Sequence, residues 1–186
     1  MLPQHILNEF ARIPPTTNIE NKYYGVFNKI LSKVCFTDEV TFTIVPQYPY
    51  PFPQVVGVPT IDFVVTYVVQ VNDLPIFFLE IKAPPYLDHI SGRVDADAQM
   101  RARLRALYNV TPAPRLHGVS VIGQRLAFYC LDKATGRVDP NYVAPSTDYI
   151  IDTVPAERWD TDITTENGYQ RFMAVINDVK EMAAAL

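Results

Sequence analysis

The longest run of apolar positions lies mid-chain, from Val58 to Ala83, and it is broken by the pair Asn72-Asp73. Turn-forming residues between two β-branched and aromatic runs predict a hairpin of two strands. Asp62, Glu80 and Lys82 are set inside this otherwise hydrophobic stretch. Successive strand side chains point to opposite faces, so Glu80 and Lys82 are expected to share one face with Ile76 and Phe78. Folding about the Asn72-Asp73 turn brings Asp62 opposite the Lys82–Pro84 end of the partner strand. Charges are rarely buried without a partner or a metal. Two carboxylates and an ammonium at one end of a strand pair therefore ask for a cation.

The flanking pattern extends this into a fold. Ile6, Leu7 and Phe10 mark a short helical turn stopped by Pro14-Pro15. Thr17 and Glu20 have capping-box spacing. Behind them Ile19, Tyr23, Phe27, Ile30, Leu31 and Val34 recur at helical period, which predicts an amphipathic helix over about 18–34. Val40 to Val45 alternates as a first strand, and the proline-rich run Tyr48 to Pro53 reads as a loop. Residues from about Ser91 to Tyr108 favour helix. Leu116–Ile122 and Leu126–Leu131 form two more strands about a Gly123-Gln124 turn. The stretch Asp132 to about Thr164 is rich in Pro, Asp and Thr, with one short strand near Tyr149–Thr153. A final helix over about 166–184 carries Phe172, Val175, Ile176, Val179 and Met182 on one stripe. This order predicts a single α/β domain built on a mixed sheet.

Composition narrows the class. With 48% hydrophobic and 12% aromatic residues the 186-residue chain can bury a core and is not a disordered segment. A net charge of −4 gives no global argument for nucleic-acid binding, although a local basic groove is compatible with it. Cys35 and Cys130 lie in apolar segments and read as buried free thiols, not as a disulfide or zinc framework. The N-terminus lacks the basic start and apolar run of a signal peptide. No segment approaches the roughly 20 apolar residues of a membrane helix. An intracellular protein without a membrane partner is the expectation.

The order helix, three strands, helix, strand, with Asp62 in Pro59-Thr-Ile-Asp62 and the triplet Glu80-Ile-Lys82, resembles the PD-(D/E)XK nuclease superfamily. The resemblance covers about residues 18–131, and 132–186 would be a C-terminal extension ending in a helix. Ile61 stands where the family pattern has proline. The resemblance implies a restriction-endonuclease-like αβββαβ core and hydrolysis of phosphodiester bonds in nucleic acid, DNA first. It implies that Asp62, Glu80 and the backbone carbonyl of Ile81 hold Mg²⁺, with Mn²⁺ as a substitute. Lys82 would orient or deprotonate the attacking water, or neutralise charge developing on phosphorus. Glu20 and Gln99 match an acidic residue on the first helix and a glutamine on the helix after the motif that related nucleases place near the metal. Many such nucleases cut duplexes as dimers, though no apolar stripe here nominates a homodimer face.

Each residue also has a bland reading. A hairpin-ending ion pair would account for Asp62, Glu80 and Lys82 but would leave one carboxylate uncompensated. Capping explains Glu20 locally, and a solvated helix face explains Gln99. Arg101, Arg103 and Arg105, with Arg93 and Arg115 nearby in sequence, could contact phosphates; the first three, with Asp95 and Asp97 before them, also suit the helix dipole as ordinary helix-surface residues. His5, His89 and His117 show no metal-ligand spacing. The alternative function is an inactive nuclease-fold module that binds protein or nucleic acid.

Overall fold

The computed structural model describes residues 1–49, 64–146, 148 and 151–186. Asp62, and with it the Pro59–Asp62 segment and most of the proline-rich run after Tyr48, lies outside the described residues.

Helix α1 (Gln4–Ala11) turns Ile6 and Phe10 inward. The helix expected over 18–34 is present in three pieces: a 3₁₀ turn at Glu20–Lys22, α2 (Tyr24–Ile30) and a π turn at Leu31–Cys35. Strands β1 (Thr43–Pro49), β2 (Val64–Val71) and β3 (Leu74–Lys82) form an antiparallel meander. β1 starts later than the alternation predicts and includes Pro46, which is tolerated because β1 lies at the sheet edge. The β2–β3 turn is at Asn72-Asp73, as expected, with φ of 51° and 62° at the two residues. That geometry fits a two-residue hairpin turn, where Asn and Asp tolerate positive φ.

After β3 the chain makes the short helix α3 (Pro85–Asp88) and the long helix α4 (Ile90–Leu107). It then enters β4 (Arg115–Ile122), parallel to β3. A parallel neighbour needs a crossover of this length, and α4 supplies it. β5 (Arg125–Asp132) returns antiparallel, and the two-residue strands β6 (Val138–Asp139) and β7 (Thr161–Asp162) pair with it. The path β1-β2-β3-β4-β5-β6, with β7 on β5, is a seven-stranded mixed sheet among the described residues. A 3₁₀ turn at Ala156–Trp159 and helix α5 (Glu166–Ala183) complete the chain. Thr165 caps α5 by accepting the Gly168 amide at 3.0 Å.

Two cores lie on opposite faces of the sheet. Phe10, Phe27, Ile30, Phe172, Ile176 and Val179 from α1, α2 and α5 pack on Phe77, Leu79, Val119 and Val121. Ala96, Met100, Leu104 and Leu107 of α4, with Trp159, pack on Phe78, Leu116, Ile122 and Tyr129. Full burial of each large apolar side chain contributes about 1.5–3 kcal/mol. The protein is thus an α/β domain with a helix-covered mixed sheet. Among the described residues no helix is long and apolar enough to cross a membrane.

Three expectations fail. Ile76 does not share the face of Phe78: the β2–β3 register shifts between Val69 and Gln70, leaving Ile76 unpaired and inside the opposite core. No strand forms at residues 151–153, and Tyr149 and Ile150 lie outside the described residues. The capping box is not made: Thr17 Oγ1 accepts the Ile19 amide at 3.2 Å, and the 3₁₀ turn has no side-chain cap.

Candidate functional site

The site is built where β3 outruns its pairing with β2. The paired register ends at Tyr67↔Leu79, two positions short of Ile81. Thr66 on β2 takes over there, its hydroxyl accepting the Ile81 amide at 3.2 Å and donating to Glu80 Oε2 at 3.2 Å. One strand position thus fixes both the backbone and the acidic side chain of the Glu80-Ile81-Lys82 triplet.

Glu80 is 5% exposed and faces α4. Arg103, in the last turns of α4, donates from Nε to Glu80 Oε1 at 2.9 Å and is equally buried. Burial pushes the Glu80 carboxyl above its ordinary range, while the hydrogen bond and charge of Arg103, then Lys82 and Thr66, pull it back. Lys82 emerges at the strand end, its ammonium 3.9 Å from Glu20 Oε2 and 5.7 Å from the centroid of the Tyr86 ring. Glu20 does not cap a helix and is held instead by the Tyr24 hydroxyl, which donates to Oε1 at 2.7 Å. Tyr24 is anchored in turn, its carbonyl accepting the Tyr67 hydroxyl at 2.8 Å. The Tyr24 phenol is raised by burial first, and then by its bond to Glu20 and the charges of Glu20 and Glu80.

These groups line one pocket of about 360 Å³, together with Gln47, Ile81 and Gln99. Every candidate on the described residues is therefore in the same place: Glu20, Glu80, Ile81, Lys82 and Gln99. They come from the 3₁₀ turn before α2, from β3 and from α4, up to 79 positions apart in sequence (99 − 20). Gln99 reaches the pocket because it lies one turn before Arg103 on α4.

Four lining residues were not singled out for this pocket by the sequence. Tyr24 stands one helical turn after Glu20, and Arg103 one turn after Gln99, so helical spacing could have nominated both. Thr66 is one of many strand threonines and carries no local signal. Gln47 lines the pocket from β1 with φ of 49°, an uncommon value for a residue with a side chain.

The basic residues of α4 require correction. Arg93, Arg101 and Arg103 are buried, and protein acceptors engage their guanidinium groups, so they are not an open helix surface. Arg93 binds Asp152 at 2.5 Å and the Val154 carbonyl at 2.8 Å. Arg101 binds Asp97 at 2.8 Å and the Pro140 carbonyl at 2.8 Å. Asp97 also accepts from Tyr129 at 2.8 Å and from Arg158. These bonds tie the chain after β6 onto α4, away from the pocket. Arg115 stays at the surface, where it and His117 both contact Asp178 at 2.5 Å. His89 precedes α4 as an exposed residue, and both cysteines are free thiols.

The donor set suits a hard divalent cation. Glu20 and Glu80 offer carboxylate oxygens, and neither sulfur nor imidazole lines the pocket. An ionised carboxylate has about four lone-pair sites, and Arg103 and Thr66 engage one on each Glu80 oxygen. Among the described residues no group of three or more His, Cys, Asp or Glu side chains is placed to hold a metal ion. No family model, curated protein or solved structure matches the chain, so the reading of this site rests on its geometry and chemistry.

Proposed function

We propose that the chain is a metal-dependent nuclease with a restriction-endonuclease-like core of the PD-(D/E)XK type, acting on nucleic acid and on DNA first. The observation that carries this reading is the convergence of Glu20, Glu80, Ile81, Lys82 and Gln99 on one pocket. The element order α2, β1, β2, β3, α4, β4, with β3 and β4 parallel, agrees with it. Glu80, the Ile81 carbonyl and Asp62 would hold Mg²⁺ or Mn²⁺, with Glu20 beside them. The ion when bound would supply a water of lowered pKa and polarise the scissile phosphate. Lys82, tethered loosely to Glu20, brings a cation to the oxygens of the phosphate as negative charge develops on them. Gln99 offers an amide to orient water or phosphate. Thr66 and Arg103 hold the Glu80 carboxylate in one orientation, so it does not have to reorganise.

A second reading has one observation in its favour. Arg103 already neutralises Glu80, which suits a nuclease-type fold kept for protein or nucleic-acid binding. Cleavage of circular duplex DNA, circular single-stranded DNA and RNA in Mg²⁺, Mn²⁺ or EDTA separates the two. The nuclease reading expects metal-dependent cleavage that is lost in Glu80→Ala and Lys82→Ala while both variants stay folded. Cleavage unaffected by Glu80→Ala would refute it. No cleavage of any substrate would favour the binding module.

A further inference from the structure

On the flank of α4 away from the nuclease pocket lies a second cavity of about 230 Å³, lined by Arg101, Arg105, Arg137, Val138, Asn141 and Tyr142. Arg101 and Arg105 are one turn apart and form a stripe. Each lies two residues beyond Gln99 or Arg103, roughly 200° around the helix. The two cavities therefore sit on opposite flanks of α4, with Ala98 and Ala102 on the ridge between them.

The cavity is cationic in a chain whose net charge is −4. Arg101 is fixed by Asp97 and Pro140, and its guanidinium lies 5.8 Å from the Tyr129 ring and 5.6 Å from the Tyr142 ring. Asp97 is shared between Arg101 and Arg158, so one acid faces two guanidinium groups. Arg105 and Arg137 are exposed, and their side chains make no hydrogen bond or ion pair among the described residues. The acid nearest to Arg137 along the chain, Asp139, is not among the cavity's lining residues; it stands opposite Cys130 in the β5–β6 pairing and helps raise that thiol. Tyr142 is 64% exposed at the rim, a large aromatic surface beside a cluster of positive charge.

We propose that this cavity binds a backbone phosphate of single-stranded nucleic acid, with an adjacent base stacked on Tyr142. Guanidinium groups recognise phosphate through paired donors. An aromatic ring next to such a cation recognises an unstacked base, which a duplex does not offer. The choice of nucleic acid as the ligand rests on the nuclease reading. A strand held here crosses the low alanine ridge of α4 to reach Lys82.

The test is fluorescence anisotropy of a labelled single-stranded oligonucleotide in EDTA. Wild type is compared with Arg105→Gln/Arg137→Gln and Tyr142→Leu at several salt concentrations, with duplex and inorganic phosphate as competitors. The double arginine variant should bind roughly tenfold more weakly. Its plot of log affinity against log salt should be shallower by about 0.7 for each phosphate that the protein no longer neutralises. Tyr142→Leu should weaken binding roughly tenfold without changing that slope. Wild-type affinity in both the arginine and the tyrosine variants would overturn the proposal. So would a duplex that competes as well as single strand, or variants that lose only inorganic phosphate. The two readings separate cleanly: cleavage with indifferent arginine variants defeats the subsite alone, and arginine-dependent binding without cleavage defeats the nuclease alone.

Discussion

Removing the Arg103 guanidinium tests the electrostatics at the centre of the pocket. In Arg103→Met the side chain keeps most of its apolar length, but Glu80 is left 5% exposed with, among the described residues, Thr66 and the more distant Lys82 to stabilise its charge. Breaking a buried pair from one side costs about 3–5 kcal/mol, against total stabilities of about 5–15 kcal/mol for ordinary domains. The loss has a definite pH dependence. Glu80 is raised above its ordinary value of 4.5 by burial, with Arg103 the strongest opposing influence. Its folded state thus binds the proton more tightly than its unfolded state. The associated stability is present below about pH 4.5 and is lost as pH rises through the folded value.

Without Arg103 that folded value moves higher still. The gap between wild type and variant should therefore be small below the wild-type folded value and widen as pH rises from that value towards the variant's, by at most about 1.4 kcal/mol per pH unit. Urea unfolding followed by fluorescence of Trp159, the single tryptophan and 1% exposed, measures it. A gap that does not change with pH, or one under about 1 kcal/mol at pH 8, would refute the reasoning. Adding Glu80→Gln to the variant removes the charge and should restore most of the loss at high pH. If the pocket takes Mg²⁺, the ion should stabilise Arg103→Met by about 2.7 kcal/mol at a hundred times its dissociation constant.

Three further outcomes rest on the same structure. Asp97→Ala removes the acceptor shared by Arg101, Tyr129 and Arg158; it should cost about 3–5 kcal/mol and shift Trp159 emission to the red as the 3₁₀ turn that carries Arg158 and Trp159 loosens. Thr111→Val should leave stability unchanged or raise it by about 1 kcal/mol in thermal unfolding, because the Thr111 hydroxyl is buried with no hydrogen-bond partner among the described residues. Lys82→Ala should change the unfolding free energy by less than about 1 kcal/mol in urea while removing the proposed cleavage; a large loss of stability would make Lys82 a structural residue.

What the sequence disclosed was set by the range of the interactions. The β2–β3 hairpin and its Asn72-Asp73 turn, and the bounds of α4 and α5 to within a residue or two, follow from local periodicity and turn chemistry. So does the placement of Glu80 and Lys82 on one strand face. The two-residue strands β6 and β7 are too short to show a period. The register shift that moves Ile76 to the other core depends on cross-strand geometry. Arg93 and Asp97 look like helix-surface residues because their partners Asp152, Val154 and Arg158 lie 59 to 61 residues away, and Arg101 does so because the Pro140 carbonyl it binds lies 39 residues away. Glu20 fits a capping box by spacing alone, yet its partners are Tyr24 and Lys82. The reason is physical: one carboxylate can satisfy a local amide or a distant ammonium, and only the tertiary fold decides.

The two ion pairs at the pocket differ in kind, and the difference assigns them different work. Glu80 and Arg103 meet at 2.9 Å with side chains about 5% exposed, so separating them exposes each to the full cost of an unpaired buried charge. Glu20 and Lys82 stand 3.9 Å apart with side chains 40% and 16% exposed. That separation exceeds a hydrogen bond, and such half-exposed pairs contribute about 0–1 kcal/mol. An incoming phosphate can therefore draw Lys82 away from Glu20 at small cost, whereas it cannot draw Arg103 from Glu80. The pocket has one cation fixed in place to hold a carboxylate still and one able to change partners. On the proposed nuclease reading, the second property is what a group that meets a transient charge on phosphorus requires, and Lys82 has it.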